Sequence, residues 1–578
     1  MSVITVENLR YRYPHTKELA LDGLDFSVEK GEFIGIIGEN GAGKSTLSQA
    51  IMGLVPQFYK GAYGGMVTVD GIEAGKTPVA QLCGHVGLVF QNPFNQLSGA
   101  KDNVYEEVAF GMQNLGVPAE EMKNRVEEAL KLLDIWQYRD RNPFDLSGGQ
   151  MQRVAIASVL VMRPDVMILD EPTSQLDPEG SDEVFKAVET LTGSGITILM
   201  IEQKIEKLAA YCDRILLLHK GKQIAFDTPQ KVFSMPDLNN YGIQAPAFTR
   251  ICKAEGVTLA DGTYPVTVEE AAGVLREKRL RAPACADGGE RAQKVTGTEA
   301  AQAGGPAESA GSSDEQFCIE KLDFSYLADV PVLKNLNMKL DKRPTAIIGQ
   351  NGAGKTTLVK LLKGLLKPVS GSIYFHGEDI SGKTVAMLAG NVGYVFQNPD
   401  DQIFKYNVMD EILFGPLNIG MDAERAKKEA ERALKLTGLT GKEKENPYDL
   451  ELYERKMTAI ASVLAMDTDV LILDEPTIAQ DWKGRQIIGG IIRSLSERGK
   501  LVIAILHDMD FVAENFERVI IMAHGQVLAD GTAKEVFAQE EALKKARLQK
   551  PYVMQLCEAL GYEKSYLTVE ELLKDQVS

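Results

Sequence analysis

Short, uninterrupted apolar runs punctuate this chain, and they come in two kinds. One, Phe33-Ile34-Gly35-Ile36-Ile37, leads directly into a glycine-rich loop and a helical segment, whereas the other, Val166-Met167-Ile168-Leu169, stops at the paired carboxylates Asp170 and Glu171. Apolar runs of this length read as buried strands. Alternation of such strands with helical segments predicts an α/β layer architecture, a core sheet flanked by helices.

The same order of elements occurs twice, so an internal repeat organises the chain. The loop Gly38-Glu39-Asn40-Gly41-Ala42-Gly43-Lys44-Ser45 is answered by Gly349-Gln350-Asn351-Gly352-Ala353-Gly354-Lys355-Thr356. Val89-Phe90-Gln91-Asn92-Pro93 is answered by Val395-Phe396-Gln397-Asn398-Pro399, and Ile168-Leu169-Asp170-Glu171 by Ile472-Leu473-Asp474-Glu475. The tails match as well, Thr267-Val268-Glu269-Glu270 against Thr568-Val569-Glu570-Glu571. From Ala282 to Gln316 the hydrophobic periodicity gives way to Ala, Gly, Ser and Glu, the composition of a flexible linker. The expected organisation is two similar domains, 1–281 and 317–578, joined by a linker over 282–316.

Composition narrows the function classes. At 578 residues the chain exceeds one compact core. A formal net charge of -18 argues against a dominant nucleic-acid role, because phosphate backbones are held by clusters of Lys and Arg, though it leaves room for a local basic patch. The six cysteines contain no Cys-x-x-Cys pair and are too sparse for a disulfide framework or a zinc-thiolate site. No run reaches the roughly 20 apolar residues of a membrane-spanning helix, and the opening Ser2-Val3-Ile4-Thr5-Val6 lacks a signal-peptide pattern. The expected location is the cytoplasm.

The glycine loops carry the candidate chemistry. Glycines let backbone N–H groups converge on phosphate oxygens, and the helix N-terminus that follows adds positive potential. Gly38, Asn40, Gly41, Gly43, Lys44, Ser45 and Thr46 form one candidate ATP site, and Gly349, Asn351, Gly352, Gly354, Lys355, Thr356 and Thr357 the other. Lys44 or Lys355 would reach the β- and γ-phosphates, while the hydroxyl of Ser45 or Thr356 would ligate Mg²⁺. Asp170 and Asp474, each ending a strand, are placed to complete the magnesium shell. The next residues, Glu171 and Glu475, are candidate general bases toward water.

With these motifs and Leu146-Ser147-Gly148-Gly149-Gln150 in place, the chain resembles two fused ATP-binding subunits of the ABC superfamily over nearly everything except the linker. The resemblance implies tandem P-loop NTPase domains, each with a helical subdomain and a small C-terminal extension, that hydrolyse ATP with Mg²⁺. It implies that Tyr13 and Tyr326 stack on adenine, although a tyrosine in a first strand is equally an ordinary core residue. It further implies that Gln91 and Gln397 sense Mg²⁺ and water, and that His507 contacts the γ-phosphate and the general base.

ABC modules pair head to tail, so each ATP lies between the phosphate loop of one module and the signature of the other. One composite site would then combine Lys355, Thr356, Gln397, Asp474, Glu475 and His507 with Ser147, Gly148, Gly149, Gln150 and Asp177. The other would combine Lys44, Ser45, Gln91, Asp170 and Glu171 with two departures from the pattern. Gln203 stands where the switch histidine belongs, and glutamine does not titrate near neutral pH. Glu451, Leu452 and Tyr453 stand where Ser147, Gly148 and Gly149 stand in the first half, and would block and repel a γ-phosphate. Arg455 and Lys456 are expected to offset part of that charge. The expectation is one site that turns over ATP and one degenerate site that holds it, the halves pairing within one chain.

The stretches Gly87 to Pro93 and Glu107 to Gly111, with Phe396 to Gln402 and Phe414 to Leu417, resemble the energy-coupling-factor (ECF) importers of vitamins and transition-metal ions, as do the repeated tails. This implies a subunit peripheral on the inner face of the cell membrane, partnered by a transmembrane coupling protein and a small substrate-binding membrane subunit, without nucleic acid. Two alternatives share the motif chemistry. A soluble tandem ABC ATPase acting on ribosomes or nucleic acid is opposed by the acidic balance and by the lack of a basic helical insertion. An exporter ATPase would carry the same motifs.

Overall fold

The computed structural model describes residues 2–174, 176–281, 315–327 and 330–577. The apolar run Phe33–Ile37 lies inside a six-stranded sheet, in the order Lys222–Asp227, Arg214–His219, Phe33–Ile37, Thr197–Ile201, Val166–Asp170, Val86–Val89. Only the pair at the Lys222–Asp227 edge is antiparallel. Parallel strands are covered on both faces, which explains why Phe33–Ile37 and Thr197–Ile201 are buried along their whole length.

The two faces are divided by the strand period of two. Ile34, Ile36, Ile168 and Leu199 pack toward Ile4, Val6 and Leu9 of a four-stranded antiparallel sheet that also includes Leu21–Glu29 and Ala62–Val69. Phe33, Met167, Ile198 and Met200 pack on the opposite side with Val154, Phe185 and Val188 of helices Gly148–Leu160 and Pro178–Gly193. The same core continues through Val108, Met112, Val126 and Leu130 of helices Val104–Asn114 and Ala119–Leu132, the helical subdomain. Asn103 starts that subdomain by accepting from the Glu106 amide, with Glu106 and Glu107 in the first turn where the helix dipole favours them.

The second half repeats this plan, with sheet order Val392–Val395, Val470–Asp474, Leu501–Ile505, Thr345–Ile348, Arg518–Ala523, Gln526–Thr532. The linker expected over 282–316 lies outside the described residues apart from Glu315 and Gln316. Gln316 is buried, its amide donating to the Leu340 carbonyl at 2.8 Å and its side chain lying 2.8 Å from His376 Nε2.

The C-terminal extensions of the two halves share one core. Phe248, Ile251 and Cys252 of helix Ala247–Ala254 and Ala271, Ala272 and Leu275 of helix Val268–Arg281 pack with Leu556 and Cys557 of helix Tyr552–Leu560 and with Leu572 of helix Val569–Val577. Neither extension buries its apolar face alone.

Candidate active site

Each glycine loop joins the central strand of its sheet to a helix, Lys44–Ile51 or Lys355–Leu362. The loops pass so close to the neighbouring strand that only glycine fits. A Cβ on Gly38 (φ 156°) would lie 2.4 Å from the Leu218 carbonyl oxygen, and one on Gly349 (φ 151°) 2.1 Å from that of Met522. Gly41 and Gly352 face open space. Lys44 donates to the carbonyls of Gly38 and Glu39, both at 2.9 Å, and Lys355 to those of Gly349 (2.6 Å) and Gln350 (2.9 Å). Burial pushes both ammonium groups down, opposed in each case by the Asp-Glu carboxylates of the same half.

Those carboxylates stand where the apolar strands promised. Thr356 donates to Asp474 Oδ1 at 3.4 Å, and Ser45 bonds Asp170 in the same way. Glu475 accepts from Gln397 Nε2 at 2.7 Å and lies 3.0 Å from His507 Nε2. Glu171 accepts from Gln91 Nε2 and from Gln203 Nε2, both at 2.7 Å, so Gln203 occupies the place of the histidine. The charge balance differs between the two. Burial pushes Glu171 up to about 7 against the opposing Lys44 and the Gln203 hydrogen bond. Burial acts on Glu475 too, but His507, Lys355 and Lys456 together hold it below the ordinary carboxylate value.

The halves meet head to tail within the chain. Asp177 caps helix Pro178–Gly193 through the Gly180 amide and accepts from the Asn351 amide of the other half at 3.0 Å. Its repeat counterpart Asp481 caps its own helix and accepts from the Asn40 amide at 3.0 Å, while Asn40 Nδ2 donates to the Ala479 carbonyl at 2.8 Å. Ser147 heads helix Gly148–Leu160 in a capping box with Gln150, which also bonds Tyr138. A Cβ added at Gly149 would lie 3.5 Å from the Gly180 Cα, in ordinary van der Waals contact. Tyr13 and Tyr326 place their hydroxyls 3.1 Å and 3.3 Å from Thr46 and Thr357, at the starts of the loop helices.

A family model described as ABC transporter matches residues 21–174 and again 333–478, spanning both loops and both Asp-Glu pairs. The chain belongs to the ABC transporter family. Its two ABC domains bind ATP, and the protein is an ATPase. A protein of Caldanaerobacter subterraneus subsp. tengcongensis, provisionally named an ABC transporter ATP-binding protein, is 38% identical over 99% of this chain and 98% of its own. Among solved structures, cbiO1 of Clostridium perfringens, part of the ABC transporter complex cbiONQ, is 36% identical over 43% of this chain and 100% of its own, with a TM-score of 0.37. The archaeal ribosome recycling factor aABCE1, solved with the stalk protein aP1, shares the fold at 20% identity over 91% of this chain and 90% of its own, with a TM-score of 0.56.

In this ABC ATPase the charge of Glu451, at the head of helix Leu452–Leu464, acts on Tyr13 of the first half. Burial and then the charges of Tyr59 and of Glu451 push the Tyr13 phenol up, opposed by its bond to Thr46. The expectation that Arg455 and Lys456 offset Glu451 is corrected by their partners. Arg455 pairs with Asp400 at 2.9 Å, and Lys456 turns inward to the carbonyls of Phe396, Gln397 and Asp474.

Three further residues join the site without having been singled out from the sequence. Asp481 was legible from the repeat, 304 positions after Asp177. Tyr394 donates to Asp474 Oδ2 at 2.8 Å, where the first half has Leu88. Lys483 reaches Glu39 of the first loop at 2.7 Å across the interface, a contact no local pattern announces.

Proposed function

We propose that this ABC ATPase energises an ECF-type membrane importer of vitamins or transition-metal ions, turning over ATP at one composite site and retaining it at the other. The observation that carries the asymmetry is the pairing of Glu475 with both His507 and Gln397 where Glu171 has Gln203 and Gln91. In the complete site Lys355 binds the β- and γ-phosphates and Tyr326 the adenine. Ser147 and the amides of Gly148 and Gly149, at a helix N-terminus that Gln150 caps, close on the γ-phosphate from the other half, steered by Asp177 on the Asn351 amide. Glu475 takes the proton of the attacking water, and His507 orients that carboxylate.

The hydroxyl of Thr356, the carboxylate of Asp474 and the amide oxygen of Gln397 are hard oxygen donors that suit Mg²⁺, and Ser45, Asp170 and Gln91 offer the same set in the first half. The ion, when bound, neutralises charge on the β- and γ-oxygens. Lys44, Ser45, Asp170 and Tyr13 retain the nucleotide at the degenerate site, where Glu451 repels further approach to the γ-phosphate.

Two exposed aromatic groups beside the glutamine loops support docking of a transmembrane coupling protein. Phe94 stacks on Phe144 at 5.9 Å, and Phe404 packs edge-on to Phe414 at 4.6 Å with Lys405 over both. Among the described residues no helix is long and apolar enough to cross a membrane; in this reading partner chains supply the pore. Purification of the tagged chain from detergent-solubilised membranes tests this reading. Recovery with an integral membrane coupling protein and a small membrane subunit is expected, and recovery with ribosomes instead overturns it.

A further inference from the structure

The helix Leu452–Leu464 begins at the altered signature, yet one of its side chains works inside its own half. Lys456 is 2% exposed, and its ammonium donates to the carbonyls of Phe396 at 3.0 Å, Gln397 at 2.5 Å and Asp474 at 3.3 Å. An ammonium has three donors and no acceptor, so these three carbonyls use its whole capacity. Two of them open the Gln397 loop, and the third ends the strand that presents Glu475. Gln397 in turn donates to Glu475 Oε2 at 2.7 Å.

The repeat supplies an internal control. The first-half position is Gln152, 1% exposed, whose Nε2 has no hydrogen-bond partner among the described residues. The same fold and the same helix are therefore built without a cation here. Burying an ammonium costs several kcal/mol unless it is well bonded, and the carbonyls of Phe396, Gln397 and Asp474 supply that bonding only in the second half.

We propose that Lys456 is a positioning residue for ATP hydrolysis, holding the Gln397 loop and the Glu475 strand end in register. The helix that no longer offers a signature to the opposite nucleotide thus supports the reacting carboxylate on its own side. The proposal rests on the reading that Glu475 belongs to the site that turns over.

The test compares Lys456→Gln and Lys456→Arg in the full chain with its membrane partners, following phosphate release against Mg-ATP concentration. Lys456→Gln should lower kcat about tenfold with KM within about twofold, because misplacement of a base, not loss of binding, is at issue. Lys456→Arg, which keeps several donors, should recover most of that loss. In a Gln397→Ala background the further effect of Lys456→Gln should largely vanish, since both act through one contact chain. An unchanged kcat for Lys456→Gln, an equal loss for Lys456→Arg, or full additivity with Gln397→Ala overturns the proposal. If Lys456→Gln proves unstable, the Arg variant and its cycle with Gln397→Ala decide alone. Should Glu475→Gln itself retain turnover, the underlying site assignment fails; should only Lys456→Gln be silent, this inference fails and the assignment stands.

Discussion

Replacing the two candidate bases one at a time separates an asymmetric ATPase from a symmetric one. Glutamine in place of Glu475 keeps the volume and one acceptor oxygen, so one of the bonds from Gln397 Nε2 (2.7 Å) and His507 Nε2 (3.0 Å) survives, but the group no longer takes a proton. Loss of a general base lowers kcat by roughly 10²–10⁴, or about 2.7–5.5 kcal/mol in the barrier. Glu171→Gln alters a carboxylate that burial already pushes up to about 7 and that faces Gln203, so it should leave kcat nearly unchanged. Two equal and independent sites would instead leave about half the rate after either change, about 0.4 kcal/mol. Steady-state phosphate release at saturating Mg-ATP, with KM measured for each variant, distinguishes these numbers. Comparable losses from the two substitutions, whether twofold or a hundredfold, refute the asymmetric assignment.

Further outcomes follow from single contacts. Gly349→Ala sets a methyl 2.1 Å from the Met522 carbonyl, a backbone atom that cannot swing away, and should reduce the fluorescent-ATP stoichiometry from two to one; an unchanged stoichiometry counts against it. Leu556→Ala opens the core shared by the two extensions and should cost about 2–5 kcal/mol, read as a lower thermal midpoint. In a chain cut between residues 282 and 314 that same change should weaken co-elution of the halves, whereas the uncut-core version should stay paired on gel filtration. Gln203→His placed in the Glu475→Gln background should not restore turnover if, as proposed, Glu451, Leu452 and Tyr453 still oppose the first-half nucleotide; recovery to half the native rate would assign the defect to Gln203 alone.

Much of the site was legible because its parts are contiguous. A phosphate loop needs its glycines, lysine and hydroxyl within eight positions, and a strand-ending Asp-Glu pair needs only an apolar run before it. Such signals survive in a linear string, as do the departures at Gln203 and at Glu451 to Tyr453. The expectation for Arg455 and Lys456 failed for the opposite reason. Lys456, five positions after Glu451, points about 140° away around the helix and reaches the interior, whereas Arg455, four positions on, shares the face of Glu451 but is taken by Asp400, a partner 55 positions away in sequence.

By itself the sequence determined the α/β modules, their duplication, the two glycine loops with their lysines and hydroxyls, and the two places where one copy departs from the other. Tertiary structure decided how each capping aspartate meets the opposite loop, as a carboxylate on a backbone amide: Asp481 lies 441 positions from Asn40, and Asp177 lies 174 from Asn351. It also decided that Lys483 crosses to Glu39, and that the extensions of both halves close a single core. Local chemistry is written in residue type and spacing. Contacts across hundreds of residues exist only once buried faces have found each other, because burial of those apolar surfaces, not any local preference, sets where the halves meet.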